Sequence, residues 1–323
     1  MRYYDVCVIG DLVVDYIIRI PQLPVNPGEC IRAKKAYKTP GGSANFLITA
    51  SRLGLQVTVL DVVGDDEEGE IILNTLKREG VHTEGIKLIK NTKTTHVLIL
   101  IDDTGNHAFV GILGVRLDLS VVDEEIISKS KYLYVSCYSM LSPKEIKATV
   151  KAVEIAHKNG VRVFFDPGPL CDKVPTHILM DIISQSYIVS PNDNEAERIA
   201  NTHNLKDAAR KLLNMGAKIV IIKMGSRGAL LAYDNILKEL PTIDVRVVDT
   251  TGAGDSFNAG LLYGLIKGLT LEEAVTLANV MGAIKVQKLG TGENMPTLRE
   301  LVHVLKEIKF EKILNKLKLT KFE

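Results

Sequence analysis

Apolar residues along the chain follow two alternating periods. Runs at 6–9, 56–63, 132–135, 161–165, 187–189 and 218–222 are apolar at nearly every position, as strands covered on both faces are. Between most of them, apolar residues recur every three or four positions. That spacing predicts helices over 43–53, 66–79, 144–158, 192–200 and 205–213, with Ile71, Ile72, Leu73 and Leu76 marking the core face of the second. Strands alternating with helices predict an α/β fold with a doubly wound, mainly parallel sheet flanked by helices. Two stretches break the rhythm. Residues 15–20 and 30–37 read as strands joined through the Pro- and Gly-rich segment 21–28, and 94–101 and 107–112 flank the hairpin turn Asp102-Asp103-Thr104-Gly105-Asn106. With no helix between them, these strands predict a small β lid, inserted at about residues 12–38 and 92–115 of a single domain spanning 1–323. Consecutive helices follow over 253–266 and 271–288. The lysine-rich tail 306–323, with Leu305, Ile308, Ile313, Leu314 and Leu317 at helical spacing, predicts a helix packed on the body with a solvated Lys face.

Composition narrows the function classes. Of 323 residues, 46% are apolar and 24% charged, enough for a sizeable core. A net charge of +1 argues against nucleic acid as the main partner, though not against a local site for a small phosphate. Cys7, Cys30, Cys137 and Cys171 form no Cys-x-x-Cys pair and have no His at metal-ligand spacing, so all four are expected to be small core residues in a reducing compartment. Met1–Gly10 carries Asp5 and reads as a first strand rather than a signal peptide. No apolar run is long enough for a bilayer, and the expected location is the cytoplasm.

The candidate chemistry lies near residue 250. A strand-like run over 245–249 leads into Thr250-Thr251-Gly252-Ala253-Gly254-Asp255, and a helix follows. Small residues let the backbone approach a ligand, and the helix start aims unpaired N–H groups and its positive dipole end at it. An Asp placed there would repel a phosphate unless it has a task, such as taking a proton from an attacking hydroxyl. There is no Gly-x-x-x-x-Gly-Lys-[Ser/Thr] loop, and Gly252-Ala253-Gly254 lacks the third glycine of a dinucleotide fingerprint. Taken alone, the spacing indicates an anion site, with a simple strand-to-helix turn capped by Asp255 as the plainer reading.

Three segments together carry a resemblance. Asp249-Thr250-Thr251-Gly252-Ala253-Gly254-Asp255-Ser256-Phe257-Asn258-Ala259-Gly260 resembles the C-terminal signature of the ribokinase-like (PfkB) carbohydrate kinases. Pro40-Gly41-Gly42-Ser43-Ala44-Asn45, with Arg52-Leu53-Gly54 and Val63-Gly64-Asp65-Asp66, resembles the N-terminal one; Leu47 stands where a smaller residue is usual. Pro191-Asn192-Asp193-Asn194-Glu195 is similar to the family's Asn-x-x-Glu motif. The resemblance covers essentially the whole chain and implies a kinase moving a phosphoryl group from ATP to a hydroxyl. It implies Asp255 as catalytic base and Gly252, Ala253 and Gly254 as the anion hole. It further implies Asn192 and Glu195 as organisers of Mg²⁺ through water, and Asp249 and Thr251, with the loop around Gly290, as holders of a monovalent cation such as K⁺. Asp15, Gly42 and Asn45 match acceptor-binding positions, Asp11 is a further candidate, and a side chain on Gly42 is expected to block the acceptor. Lys223, Gly225, Ser226 and Gly228 match the nucleotide-binding turn, joined by Thr250, Asn192 and, beside the base, Asn279. Asp166 ends a strand where a ligand crevice is expected, and a turn-forming Asp reads nearly as well.

The acceptor stays open among sugars, polyols and nucleosides. Ribokinases often carry a Glu on the strand matching 134–140, where this chain has Val135-Ser136-Cys137-Tyr138-Ser139; that puts free ribose in doubt. A phosphosugar needs a cation in the pocket, and Lys35 and Arg116, the candidates, are expected on solvated surface. Outside enzymes, the alternative is a catalytically silent sugar-binding regulator, against which the intact Asp255, Asn192 and Glu195 argue; the missing fingerprint disfavours a dehydrogenase. Lid strands with free edges invite pairing into a homodimer.

Overall fold

The computed structural model describes residues 2–320. The first half of the chain forms β1 (Tyr4–Ile9), β2 (Leu12–Arg19), β3 (Lys35–Gly42), α1 (Ala44–Arg52), β4 (Val57–Gly64), α2 (Glu67–Arg78), β5 (Ile86–Ile89), β6 (His96–Ile101) and β7 (His107–Ile112). It continues through α3 (Glu124–Ser128), β8 (Ser130–Ser136), α4 (Pro143–Lys158), β9 (Arg162–Asp166), α5 (Thr176–Ser184), β10 (Ile188–Val189), α6 (Asp193–Ala200) and α7 (Leu205–Asn214). β11 (Ile219–Lys223), β12 (Ala229–Tyr233), β13 (Ile236–Leu240), α8 (Ala253–Ile266), α9 (Leu271–Val286), α10 (Leu298–Glu307) and α11 (Glu311–Lys316) complete it.

The unbroken apolar runs become the centre of a nine-stranded sheet ordered β13-β12-β11-β10-β9-β8-β1-β4-β5. Its pairs are parallel from β5 across to β11, and only the β11–β12–β13 edge is antiparallel. Every residue of β4 is buried, as a strand covered on both faces requires. The two faces gather two separate cores: one holds Phe46, Phe164 and much of α8 and α9, the other Phe165 with α4 and α7. The second sheet, ordered β3-β2-β6-β7, is distinct from the first and has its own small apolar cluster around Ile17, Ile99 and Ile101. Among the described residues, no helix is long and apolar enough to cross a membrane.

Several expectations need correction. The hairpin partner of β2 is Lys35–Gly42, not 30–37, so Pro40 pairs with Val14 inside a strand. Pro-Gly-Gly reads as loop, but β3 is an edge strand, where a missing N–H costs no ladder bond. The run 245–249 forms no strand; Val247 and Val248 stand exposed. The tail is not one helix. It breaks between α10 and α11, with Lys309 in a left-handed conformation (φ +57°), and its last expected residues, 321–323, lie outside the described ones. Cys7, Cys137 and Cys171 are buried, but Cys30 is exposed. The short elements β5, β12, β13, α3 and α5 are additions. Asp234, at φ +48°, turns the two-residue hairpin between β12 and β13.

Helix α1 carries Phe46 into the first core, fully buried and stacked on Tyr134 of β8 with ring centroids 4.2 Å apart. Tyr134 in turn stacks on Phe164 at 5.2 Å. Phe46→Ala is expected to destabilise the fold by about 3–5 kcal/mol, read as a lowered urea midpoint at unchanged slope; a midpoint equal to the wild type's would mean that this stack does not anchor α1.

Candidate active site

The C-terminal edge of the main sheet collects the polar residues that its buried strands exclude. β1 ends in Gly10 and Asp11, and Asp11 takes a left-handed backbone (φ +70°) that few residues with side chains adopt. Its carbonyl accepts the Ser43 N–H at 2.9 Å, which ties the turn before β2 to the start of α1. Asp15, on β2, is buried. Diagonally across on β3, a Cβ on Gly41 would fall inside the Asp15 carboxyl group, and one on Gly42 (φ +57°) would strike the Asp11 carbonyl. Backbone packing on Asp11 by itself already requires a glycine at position 42. Asn45 is buried in the first turn of α1 with its side-chain oxygen unpartnered.

The start of α8 is built differently from a capped helix. Its N-cap is Gly252, in a left-handed conformation (φ +77°) and with no side chain to offer. Asp249 braces the preceding turn: Oδ1 accepts from Thr251 N at 2.9 Å and Oγ1 at 2.8 Å, and Oδ2 from Gly290 N at 2.6 Å. The Ala253 N–H is given to Thr250 O at 3.1 Å. The N–H groups of Gly252, Gly254 and Asp255 meet no acceptor among the described residues. Two lysines flank these amides. A Cβ on Gly254 would lie 3.5 Å from Lys223 Nζ, and one on Gly252 would lie 3.4 Å from Lys285 Cε. Burial pushes the Asp255 carboxyl up to about 7; Asp166 and Asp11 add to the shift, while Lys223 and Lys285 oppose it.

Asp166 closes the far side. Its Oδ1 accepts from Lys223 Nζ at 3.0 Å, and its Oδ2 from Tyr134 OH at 2.9 Å and Asn258 Nδ2 at 2.8 Å. Asn192 and Glu195 form a capping box on α6: each holds the other's backbone N–H, at 2.8 Å, and Asn192 Nδ2 gives a third bond of 2.8 Å to Glu195. Glu195 is pushed above the usual carboxylate range by burial and by Asp166, against the pull of Lys223. These oxygens suit Mg²⁺, but all are already engaged, and no cluster of three acidic, His or Cys ligands exists among the described residues. The fit is therefore to an ion that keeps its waters and takes other ligands from a nucleotide's phosphates. Gly225 and Ser226 lie in a 3₁₀ turn after β11, and Gly228 packs on Leu240 and Thr242. Asn279 gives its amide N–H groups to Leu240 O at 2.9 Å and Pro241 O at 3.2 Å, so it joins α9 to the same segment as Gly228. Thr250 is exposed beside the α8 turn.

Tyr138, Glu145 and Lys285 gave no functional signal in the sequence, and Arg116 lies elsewhere than expected. Tyr138 follows β8 with its hydroxyl free of hydrogen bonds among the described residues, close enough to Asp11, Asp255, Asp166 and Glu195 that all four add to the upward shift of its phenol, behind burial. Arg116, expected on solvated surface, instead binds the buried Glu145 through Nε at 2.6 Å and lies near Asp11, whose charged form it favours. Glu145 occupies the third position of α4, where Ser142-x-x-Glu145 would predict a capping box; it turns to Arg116 instead. Lys285 is fully buried in α9. Its only signal was a lysine at an apolar register position. Lys35, by contrast, is exposed as expected.

Comparisons with known proteins bear on the family and the fold. The family model described as "pfkB family carbohydrate kinase" matches residues 4–298. A ribokinase of Mus musculus is 30% identical over 315 residues, covering 92% of this chain and 93% of its own. The crystal structure of a ribokinase from Thermotoga maritima superposes with a TM-score of 0.82 at 26% identity, covering 94% of this chain and 100% of its own. That of an Arabidopsis thaliana ribokinase, complexed with ribose and ATP, superposes with a TM-score of 0.80 at 25% identity, covering 94% and 99%.

The crowded carboxyl groups carry a stability signature. Burial pushes Asp11, Asp15, Asp61 and Asp255 each up to about 7, whereas the unfolded chain titrates them near 4. Between those values the folded state holds protons that the unfolded one has lost, so the stability these groups contribute at acid pH is lost as pH rises through about 7. Asp255→Asn is thus expected to raise the thermal midpoint of the free protein by a few degrees near pH 8 and to change it little near pH 5. An equal shift at both pH values would mean that Asp255 is not held in its protonated form.

Proposed function

The chain belongs to the pfkB family of carbohydrate kinases, and on that premise we propose that it moves the terminal phosphoryl group of ATP to a hydroxyl of a small sugar or sugar-like acceptor, with Asp255 as the base. The observation that carries this reading is the placement of Asp255 at an uncapped helix start, beside three unpaired amides and between acidic groups on either side. On one side Asp15, Asp11 and Asn45 face the acceptor, with Gly41 and Gly42 letting β3 close on them. On the other, Asp166, Asn192 and Glu195 face the nucleotide phosphates, and Lys223 spans the two.

Asp255 takes the proton from the acceptor hydroxyl as its oxygen bonds to phosphorus, and the bond from phosphorus to the bridging oxygen breaks to release ADP. The amides of Gly252, Gly254 and Asp255 hold charge on the transferring group, and Lys223 neutralises more of it. Mg²⁺, when bound, supplies further neutralisation of the phosphates, held through water by Asn192, Glu195 and Asp166. Gly225, Ser226, Gly228 and Asn279 border the nucleotide, with Thr250 at its edge. Asp249 and Thr251 serve as the brace of the α8 turn. The small sheet acts as a lid over the acceptor and excludes water that would hydrolyse ATP. The segment directly after β8 offers no Glu, and Tyr138 stands there instead. That aromatic group favours, as the second reading, a nucleoside whose base lies against it.

The outer edge of the lid has its own role in this proposal. β7 leaves Phe109, Val110 and Ile112, together with Leu113, exposed on an unpaired edge, and a second copy covers it by edge pairing.

A screen of ADP release over sugars, polyols, sugar phosphates and nucleosides is expected to find an acceptor. With it, Asp255→Asn loses about 10²–10⁴ in kcat with acceptor binding kept; near-normal turnover would end the assignment. In sedimentation, the wild type is expected to run as a dimer and Phe109→Lys/Leu113→Lys as a monomer; a monomeric wild type would remove the lid interface.

A further inference from the structure

Asp249, Thr251 and the loop around Gly290 are the groups expected to hold a monovalent cation, and they do not fit one. Both Asp249 oxygens already accept protein N–H and O–H groups. Several nearby backbone carbonyls are taken as well, although those of Thr251 and Gly290 accept no hydrogen bond among the described residues. Val286 O accepts from Val248 N at 2.7 Å and Asp249 N at 3.1 Å, Leu289 O from Asn294 Nδ2 at 2.8 Å, and Thr291 O from Asn294 N at 3.3 Å. The carbonyl of Lys288 accepts from the ammonium of Lys285 at 3.2 Å.

Lys285 is the unusual element here. It is fully buried, with no solvent-exposed surface, in a helix turn otherwise made of Ala283, Ile284 and Val286. Its stem runs beside Gly252, the N-cap of α8, and its charge is felt at both Asp249 and Asp255. No carboxylate lies within ion-pair distance of it among the described residues; its one hydrogen bond goes to the loop that carries Gly290. A buried ammonium is costly unless the charge has a use. Between this ammonium and the α8 turn, a second monovalent cation would be repelled across a space with little water to screen it.

We infer that the Lys285 ammonium takes the place of the monovalent cation in this chain, as a covalently attached positive charge that holds the Asp249 turn and the amides of Gly252 and Gly254 in place. Lys285 is then a positioning residue, acting through the α8 turn rather than on substrate, and phosphoryl transfer needs neither K⁺ nor Na⁺. The inference rests on the kinase reading above.

Two measurements test it at constant ionic strength, with KCl, NaCl or tetramethylammonium chloride as the salt. The wild type is expected to show the same thermal midpoint and the same kcat in all three. Lys285→Ala, which opens the space and leaves Asp249 without its cation, is expected to have a lowered midpoint and a kcat reduced by about tenfold or more in tetramethylammonium. K⁺ should recover both in part, because it binds only the folded state. Lys285→Met, which fills the space without charge, should lose kcat with no recovery by K⁺. A K⁺-specific rise in the wild type's midpoint or kcat would overturn the inference, as would wild-type kcat for Lys285→Ala in tetramethylammonium. If Lys285→Ala does not fold, the wild-type salt comparison decides alone. Failure of the kinase reading is distinguishable: it appears as absence of ADP release with every acceptor, while the midpoints still report on Lys285.

Discussion

Five carboxyl groups, Asp11, Asp15, Asp166, Asp255 and Glu195, meet in one crevice at the C-terminal edge of the main sheet, and most of the surrounding structure answers the charge they bring. Water is largely excluded, so burial raises Asp11, Asp15 and Asp255 to about 7 and lifts Glu195 as well. Lys223 bonds Asp166 and is held above the ordinary lysine range: burial works against its charge, and Asp166 and Glu195 outweigh that. Lys285 stands on the opposite side of the α8 start, and burial brings it down to about 8. The helix end between them adds fixed partial charge without a side chain. Even so, the crevice remains acidic. Such a site is costly when empty, and under the proposed function a nucleotide that brings cations with its phosphates would relieve it, a trade of stability for function.

The second constraint is steric. The small sheet reaches the main body through close contacts: Gly42 against Asp11, and the hydroxyls of Tyr37 and Thr39 of β3 against Gly290 and Gly292. These contacts link the proposed acceptor side to the loop that also receives Asp249 and Lys285. Movement of β3 would therefore be felt at the start of α8, where the proposed base sits. The left-handed Asp11 ties the two together, since its carbonyl accepts the N–H of Ser43, the N-cap of α1.

Much of this was legible in the chain. Continuous apolar runs determined which strands lie at the centre of the main sheet, because only strands covered on both faces tolerate them. Helical spacing located α1, α2, α4, α6, α7, α8 and α9, and the lack of helices around 94–112 separated the second sheet from the first. The motif segments around Asp15, Gly42, Asn192 and Asp255 named most of the residues that the fold then brought to one crevice. Short elements were lost, since β5 and α3 carry too few residues for a period to register. The edge strand β3 was misplaced because Pro-Gly-Gly carries a local loop signal that only its position in the sheet overrides.

What the sequence alone determined is the fold class and the order of elements, because both follow from hydrophobic period and turn chemistry, which are local. Tertiary structure alone decided how charges meet. Arg116 and Glu145 stand 29 positions apart and pair beside Asp11; Lys285 is one lysine among many until α9 buries it next to Gly252; and Tyr138 gains its place only when β8 delivers it among four acids. Electrostatic environment depends on distance and exclusion of water, and neither is written in the spacing of residues along a chain.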